Sequence, residues 1–158
     1  MVTLRPITLE NRREIFKLDV TEEQRRFVAS NLSSAATAYV LITNGGHPVT
    51  FAIYADETPV GFTLITYGIN SYELPSVAEG NYNILRLMID RRYQGRGYGR
   101  EALRLILDYL RAFPIGPAEL VWIQYTPDNL VAKKLYESFG FRENGEVAHD
   151  MPVAVLRL

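Results

Sequence analysis

The residues best placed to do chemistry lie in Asp90-Arg91-Arg92-Tyr93-Gln94-Gly95-Arg96-Gly97-Tyr98-Gly99-Arg100. The segment follows an apolar run and opens an amphipathic one. A helix N-terminus leaves backbone N–H groups unpaired and carries the positive end of the macrodipole, so it can hold an anion. Glycines at 95, 97 and 99 remove the Cβ atoms that would keep a phosphate away and permit positive φ. Arg91, Arg92, Arg96 and Arg100 add cations around the same place. A dinucleotide fingerprint would need glycine where this chain has Arg100, and a P-loop would need Gly-Lys-Ser/Thr after Gly95; neither is present. Glycine disfavours helix, so such a cluster is costly for a simple turn, and phosphate binding is the function expected of it.

The surrounding elements must present that loop. Ile84-Leu85-Arg86-Leu87-Met88-Ile89, within a strand expected over 81–89, suits a strand buried on both faces. Leu103, Ile106, Leu107 and Leu110 fall at i, i+3, i+4 and i+7, an apolar stripe that predicts a helix lying on a sheet. Glu119–Tyr125 reads as a strand, which the crossover helix makes parallel to the first. Asp128 is the expected N-cap of a helix running to Phe139, which Gly140 ends. Upstream, the pattern predicts a short strand Val2–Pro6, helix from Leu9 to about Asn31, and a second helix Ser33–Val40. A turn at Asn44–Pro48 leads to a hairpin of Thr50–Tyr54 and Pro59–Tyr67. Phe141–Glu146 and Val147–Arg157 supply closing strands. The fold class is mixed α/β (α+β), in one domain over 1–158.

Bulk properties narrow the field. Of 158 residues, 47% are hydrophobic and 22% charged, values of an ordinary globular domain. No apolar run approaches the ~20 residues that span a bilayer, and the opening residues lack the pattern of a secretion signal. The absence of cysteine removes disulfides, thiolate metal sites and a cysteine nucleophile, and fits a cytoplasmic address. A net charge of -1 argues against nucleic-acid binding. The two histidines, His47 and His149, lie too far apart in sequence to suggest a metal cluster, so no metal site is expected.

Gln94 to Gly99 resembles the pyrophosphate loop of the GNAT superfamily of N-acetyltransferases. Asn129-Leu130-Val131-Ala132-Lys133-Lys134-Leu135-Tyr136-Glu137-Ser138-Phe139-Gly140-Phe141 resembles its second signature, in the expected order and separation. The resemblance implies a mixed sheet of about six to seven strands flanked by helices, with acetyl-CoA bound where the parallel strands splay. It implies that Gln94, Gly95, Arg96, Gly97, Tyr98, Gly99 and Arg100 wrap the pyrophosphate, and that the backbone of Leu87, Met88 and Ile89 pairs with the pantetheine arm. Asn129 would bond the pantetheine, Lys133 would reach a nucleotide phosphate, and Tyr136 would face the sulfur. Spacing at i, i+4 and i+7 puts Asn129, Lys133 and Tyr136 on one helix face. Tyr136 reads either as a core aromatic between Leu135 and Phe139 or as the acid that protonates the departing thiolate. Lys133 reads equally as a solvated lysine beside Lys134.

No nucleophilic side chain is needed, because a neutral amine attacks a thioester directly. Aliphatic amines have a pKa of about 10.4, so a base is expected, either a carboxylate or water leading to one. Neither histidine falls on the motif strands, and neither is assigned to the task. The stretch Thr21–Asn31, Ala35–Tyr39, and Arg86–Asp90 running into the glycine loop resemble bacterial spermine/spermidine (diamine) N-acetyltransferases. That likeness implies a polyamine acceptor, with Glu22, Glu23, Tyr39, Asp56 and Glu57 as candidate contacts; Glu22 and Glu23 read equally as surface charges. Two rival readings stay open: an acetyltransferase for protein or peptide amines, and a non-catalytic acyl-CoA-binding sensor. The expected partner is a small-molecule amine, with no nucleic acid and no membrane, and a homodimer is left open.

Overall fold

The computed structural model describes residues 1–68 and 74–158. Its strands are β1 (Val2–Arg5), β2 (Val49–Ala55), β3 (Thr58–Tyr67), β4 (Tyr82–Ile89), β5 (Leu120–Gln124), β6 (Arg142–Ala148) and β7 (Met151–Arg157). They form one seven-stranded mixed sheet in the order β1-β2-β3-β4-β5-β7-β6. Neighbours pair antiparallel except β4 and β5, which are parallel and joined by helix α3 (Tyr98–Arg111). This is the α/β architecture expected.

Helices cover both faces. On one, Ile15 and Leu18 from α1 (Arg12–Ile15) and its exit, with Ala38 from α2 (Asn31–Thr43), pack on Phe62, Leu64 and Met88. On the other, α3 lays Leu103, Ile106, Leu107 and Leu110 against Ile65, Tyr82, Ile84 and Val121, and α4 (Leu130–Ser138) adds Tyr136. Those four α3 side chains are at most 1% exposed, each burial contributing about 2 kcal/mol. Along β5, Val121 and Ile123 point to the α3/α4 face, and Trp122 lies in a separate cluster with Ala78 and Val153.

Several expectations need correction. The continuous helix over 9–31 is only α1 and a 3₁₀ turn, Glu22–Gln24. The chain leaves helix because tertiary partners claim its backbone: Asp19 N–H donates to Asp90 at 2.9 Å, and Asp19 C=O accepts from Arg91 N–H at 2.9 Å. Buried Asn31 then donates to Ile15 C=O at 2.9 Å, and Ser30 caps α2, which runs to Thr43 rather than Val40. The closing strands do not break at 146/147. β6 runs to Ala148, and the turn falls on His149 and Asp150, at φ of 53° and 59°. A His-Asp pair lacks the Asn-Gly chemistry that announces such turns, which is why the sequence hid it.

Candidate functional site

β4 and β5 pair only at Tyr82↔Val121 and Asn83↔Trp122. β4 runs on to Ile89 and β5 to Gln124, so beyond this point the strands part and the β5-side edge of β4 has no strand partner among the described residues. A register shift opposite Leu64/Ile65 bulges β4 at the same place. The parting opens a cleft of about 540 Å³, lined by Leu85–Ile89 of β4, the glycine loop, Gln124 and Tyr125, and Asn129 and Tyr136 beside α4. This explains why β4 is half-buried at Leu85, Arg86 and Leu87 rather than buried on both faces as its composition suggests.

The glycine loop forms one end of the cleft. Gly95 and Gly97 hold φ of 75° and 81°, a region closed to most side chains, and Gly97 sits immediately before α3. The helix closes with Glu101 N–H on Gly97 C=O at 3.1 Å; among the described residues no backbone acceptor takes the N–H groups of residues 95–100. A run of free donors on a helix N-terminus is an anion cradle. The loop is fixed from behind by buried Asp90, which accepts from Asp19 N–H, Arg92 N–H (3.0 Å) and Arg92 Nε (2.8 Å). Burial pushes this carboxyl up, but the Arg92 bonds and the two backbone N–H groups outweigh it and hold it below the usual range. Gln94 ties the loop to the 3₁₀ turn through paired amide bonds with Gln24 (2.9 and 3.1 Å) and donates to Ile89 C=O.

Tyr136 forms the other end. It is 8% exposed and packs edge-on to Phe141, while Tyr125 lies near-parallel to it at 6.3 Å between ring centroids. Its hydroxyl has no hydrogen-bond partner among the described residues. Burial pushes the phenol well up, which keeps it protonated and able to donate. The Tyr125 phenol is also raised, by burial and then by its 2.7 Å bond to Glu143. Arg86, on the cleft wall, has a buried Nε without a partner and no ion-pair partner among the described residues; burial lowers its pKa.

The structure gathers many of the sequence-predicted residues and disperses others. Leu87, Met88, Ile89, Gln94, Gly95, Gly97, Tyr98, Gly99, Asn129 and Tyr136 line the cleft. Arg96 and Arg100 stand outside its lining, donating to Arg92 C=O and Ser138 Oγ. Asn129, not Asp128, is the N-cap of α4, its Oδ1 accepting from Ala132 N–H at 3.3 Å. Its ψ of 72° is non-helical, so the i, i+4 count from Asn129 fails. Ala132 faces the cleft in place of Lys133, whose Nζ sits 3.3 Å from Glu143.

None of the five candidate acceptor contacts lines the cleft. Glu22 pairs with Arg25, Glu23 is exposed on the 3₁₀ turn, and Tyr39 is 69% exposed on α2. The β2–β3 turn carries Asp56 to the Met1 ammonium and Glu57 to Arg5. On the α2 side of the parted strands, a second pocket of about 280 Å³ shares Leu85 and Gln124 with the cleft and is bordered by Thr37, Asn83, Trp122 and His149. Sequence reasoning missed it, because its walls come from elements far apart in the chain.

Comparison with known proteins places this geometry. Residues 10–141 match the Acetyltransferase (GNAT) family. The chain is 28% identical to a spermine/spermidine N(1)-acetyltransferase of Bacillus subtilis, over 92% of this chain and 91% of that one. It is 36% identical to the N-alpha-acetyltransferase RimI of Mycobacterium tuberculosis, over 54% of this chain and 49% of that one. The structure of the aminoglycoside acetyltransferase AAC(6')-Ib with coenzyme A superposes with a TM-score of 0.77 at 18% identity, covering 99% of this chain and 95% of that one.

Proposed function

The chain belongs to the GNAT acetyltransferase family, and on that premise we propose that it moves the acetyl group of acetyl-CoA onto a primary amine of a polyamine such as spermidine or spermine. One observation carries the reading of the cleft. The parting of β4 from β5 joins, in a single cavity, a loop of N–H donors and the Tyr136 hydroxyl, both without partners among the described residues. The loop at Gly95–Arg100 receives the pyrophosphate, since its donors and the α3 dipole converge where no Cβ intrudes. The open edge of β4 over Leu87–Ile89 offers backbone groups to the pantetheine amides. Asn129 Oδ1 is occupied as a cap, so its amide N–H₂ is what remains to hydrogen-bond the arm. Arg96 and Arg100 guard the outer end.

At the inner end the amine nitrogen attacks the thioester carbon, and Tyr136 donates its proton to the departing sulfur. Burial keeps the phenol protonated, so a proton is present to donate when the thiolate forms. The polyamine acceptor rests on likeness over 92% of the chain to the B. subtilis enzyme. A second reading, a peptide or protein amine, is favoured by one observation. Among the described residues no carboxylate borders the α2-side pocket, and the nearby cleft wall carries the half-buried Arg86 cation. The reading carries a cytoplasmic address, which the lack of cysteine fits.

The test is release of coenzyme A thiol from acetyl-CoA with spermidine, spermine, putrescine or a short peptide as acceptor. Fastest turnover with a polyamine supports the first reading. Turnover confined to the peptide replaces it with the second, and binding of acetyl-CoA without turnover on any amine would leave a sensor.

A further inference from the structure

An amine that attacks a thioester turns the carbonyl oxygen into an oxyanion, and that transient charge is stabilised by a positive group held in place before it forms. Among the described residues lining the cleft, the charged side chains are Arg86 and Asp128. Asp128 has the wrong sign, is 53% exposed, and pairs with Arg26 at the rim. Arg86 is left.

Three features single out this arginine. The first is its place on β4. Ile65 pairs with Ile84 and Leu64 with Arg86, so Leu85 is the extra residue of the bulge and Arg86 follows it directly. The last β4–β5 pair is Asn83↔Trp122, so Arg86 lies where the strands have already parted. Pairing with Leu64 and alternation with Met88 put its side chain on the α1/α2 face of the sheet, beside the apolar cluster those two belong to.

The second feature is that its charge is uncompensated. Nη1 donates to Leu85 C=O at 2.9 Å, but Nε is buried without a partner, and no carboxylate pairs with the guanidinium among the described residues. Burial lowers its pKa, yet an arginine stays protonated under such a shift. A half-buried cation of this kind costs stability unless an anion meets it. The third feature is which anion can. The phosphate cradle begins beyond Ile89, itself roughly 10 Å further along β4 at about 3.3 Å per residue, so phosphates held there leave Arg86 unmatched. The anion that the reaction itself creates near the parting is the thioester oxyanion.

We propose that the Arg86 guanidinium hydrogen-bonds the thioester carbonyl oxygen and stabilises the oxyanion formed when the amine attacks, which makes Arg86 a catalytic residue. The proposal rests on the amine-acetylation reading and holds for either acceptor. The nitrogen lone pair forms the C–N bond while the C=O π pair moves onto the oxygen facing Arg86. The carbonyl then re-forms, the carbon–sulfur bond breaks, and the sulfur takes the Tyr136 proton. The nitrogen gives its surplus proton to water and Tyr136 regains one from water, leaving the N-acetylated amine and free coenzyme A. The same positive charge disfavours an ammonium close by, so it also biases the bound amine toward its neutral, nucleophilic form.

The experiment compares wild type, Arg86→Met and Arg86→Lys by thiol release and by infrared difference spectra of bound acetyl-CoA labelled with carbon-13 at the acetyl carbonyl. In wild type the bound carbonyl stretch should lie below that of free acetyl-CoA, and in Arg86→Met it should move back toward the free value. With whichever acceptor is turned over, kcat of Arg86→Met should fall about 100-fold. Its acetyl-CoA affinity should stay within about 3-fold of wild type, and its melting temperature should hold or rise because an unmatched charge is gone. Arg86→Lys, which keeps the charge without the planar fork, should recover part of the loss. An unmoved carbonyl frequency, or a loss confined to one class of acceptor, overturns the assignment of Arg86 alone. A lower melting temperature with equally weakened acetyl-CoA binding makes the arginine a prop of the cleft wall and also overturns it. A wild-type protein that binds acetyl-CoA but acetylates no primary amine overturns the amine-acetylation reading and the proposal with it.

Discussion

The two sides of the parted strands are built from different materials. The α4 side is made largely of backbone: N–H groups over 95–100 and an edge of β4, both unpaired among the described residues, and one phenol. The α2 side is made of side chains from α2, β3, β4, β5 and the β6–β7 turn, with no carboxylate among the described ones. A backbone site demands particular glycines at particular φ values and so leaves a mark in the sequence. A side-chain site assembled from distant elements can be built many ways and leaves little mark. The first suits a ligand that never varies, and the second suits one that does.

Substitutions can break or sharpen that contrast. The largest effect is expected for Tyr136→Phe: kcat should fall about 100-fold or more with acetyl-CoA affinity nearly unchanged, read by thiol release alongside calorimetric titration. Comparable loss of binding would instead make the tyrosine a wall of the α4 side. Next is Gly97→Ala. Its φ of 81° costs an alanine about 1–2 kcal/mol, and the new methyl intrudes on the anion cradle, so acetyl-CoA affinity should drop about 30-fold. Gly145→Ala, at φ of 91° with nothing within 4 Å, should lose similar stability while leaving that affinity alone.

Asp90→Asn should destabilise the fold by about 2 kcal/mol at neutral pH by weakening the clamp behind the loop. Because the folded carboxyl is held low, its contribution is present above the unfolded carboxylate pKa of about 3.9 and is lost as pH falls through the folded value. The variant's melting temperature should therefore vary less with pH in that acid range; an unchanged acid profile would deny Asp90 the role. The smallest effect is expected for Arg26→Ala. Arg26 pairs with Asp128 across the cleft mouth, but both side chains are more than half exposed. Acetyl-CoA should leave at most about 5-fold faster, measured by stopped flow, an effect that added salt should erase in wild type.

The glycine loop and the α3 stripe were legible because each rests on spacing within one element, whereas Tyr136 was singled out by the resemblance of its segment to a family signature. Lys133 was misplaced by a single residue of non-helical backbone at Asn129. Asp56 and Glu57 were misplaced because acidic residues in a turn say nothing about which end of the sheet the turn occupies. The helix expected over 9–31 failed where Asp90, seventy-one residues from Asp19, competed for its backbone.

By itself, the sequence determined the order of the elements around the loop, the positive-φ glycines and the apolar stripe, since these follow from local sterics and periodicity. Only the tertiary structure decided that β4 and β5 separate after two pairs, that Asn129 and Ala132 rather than Lys133 meet the cleft, and that His149 comes to its far side. Those outcomes depend on competition between hydrogen-bonding partners distant in the chain, which no local pattern records.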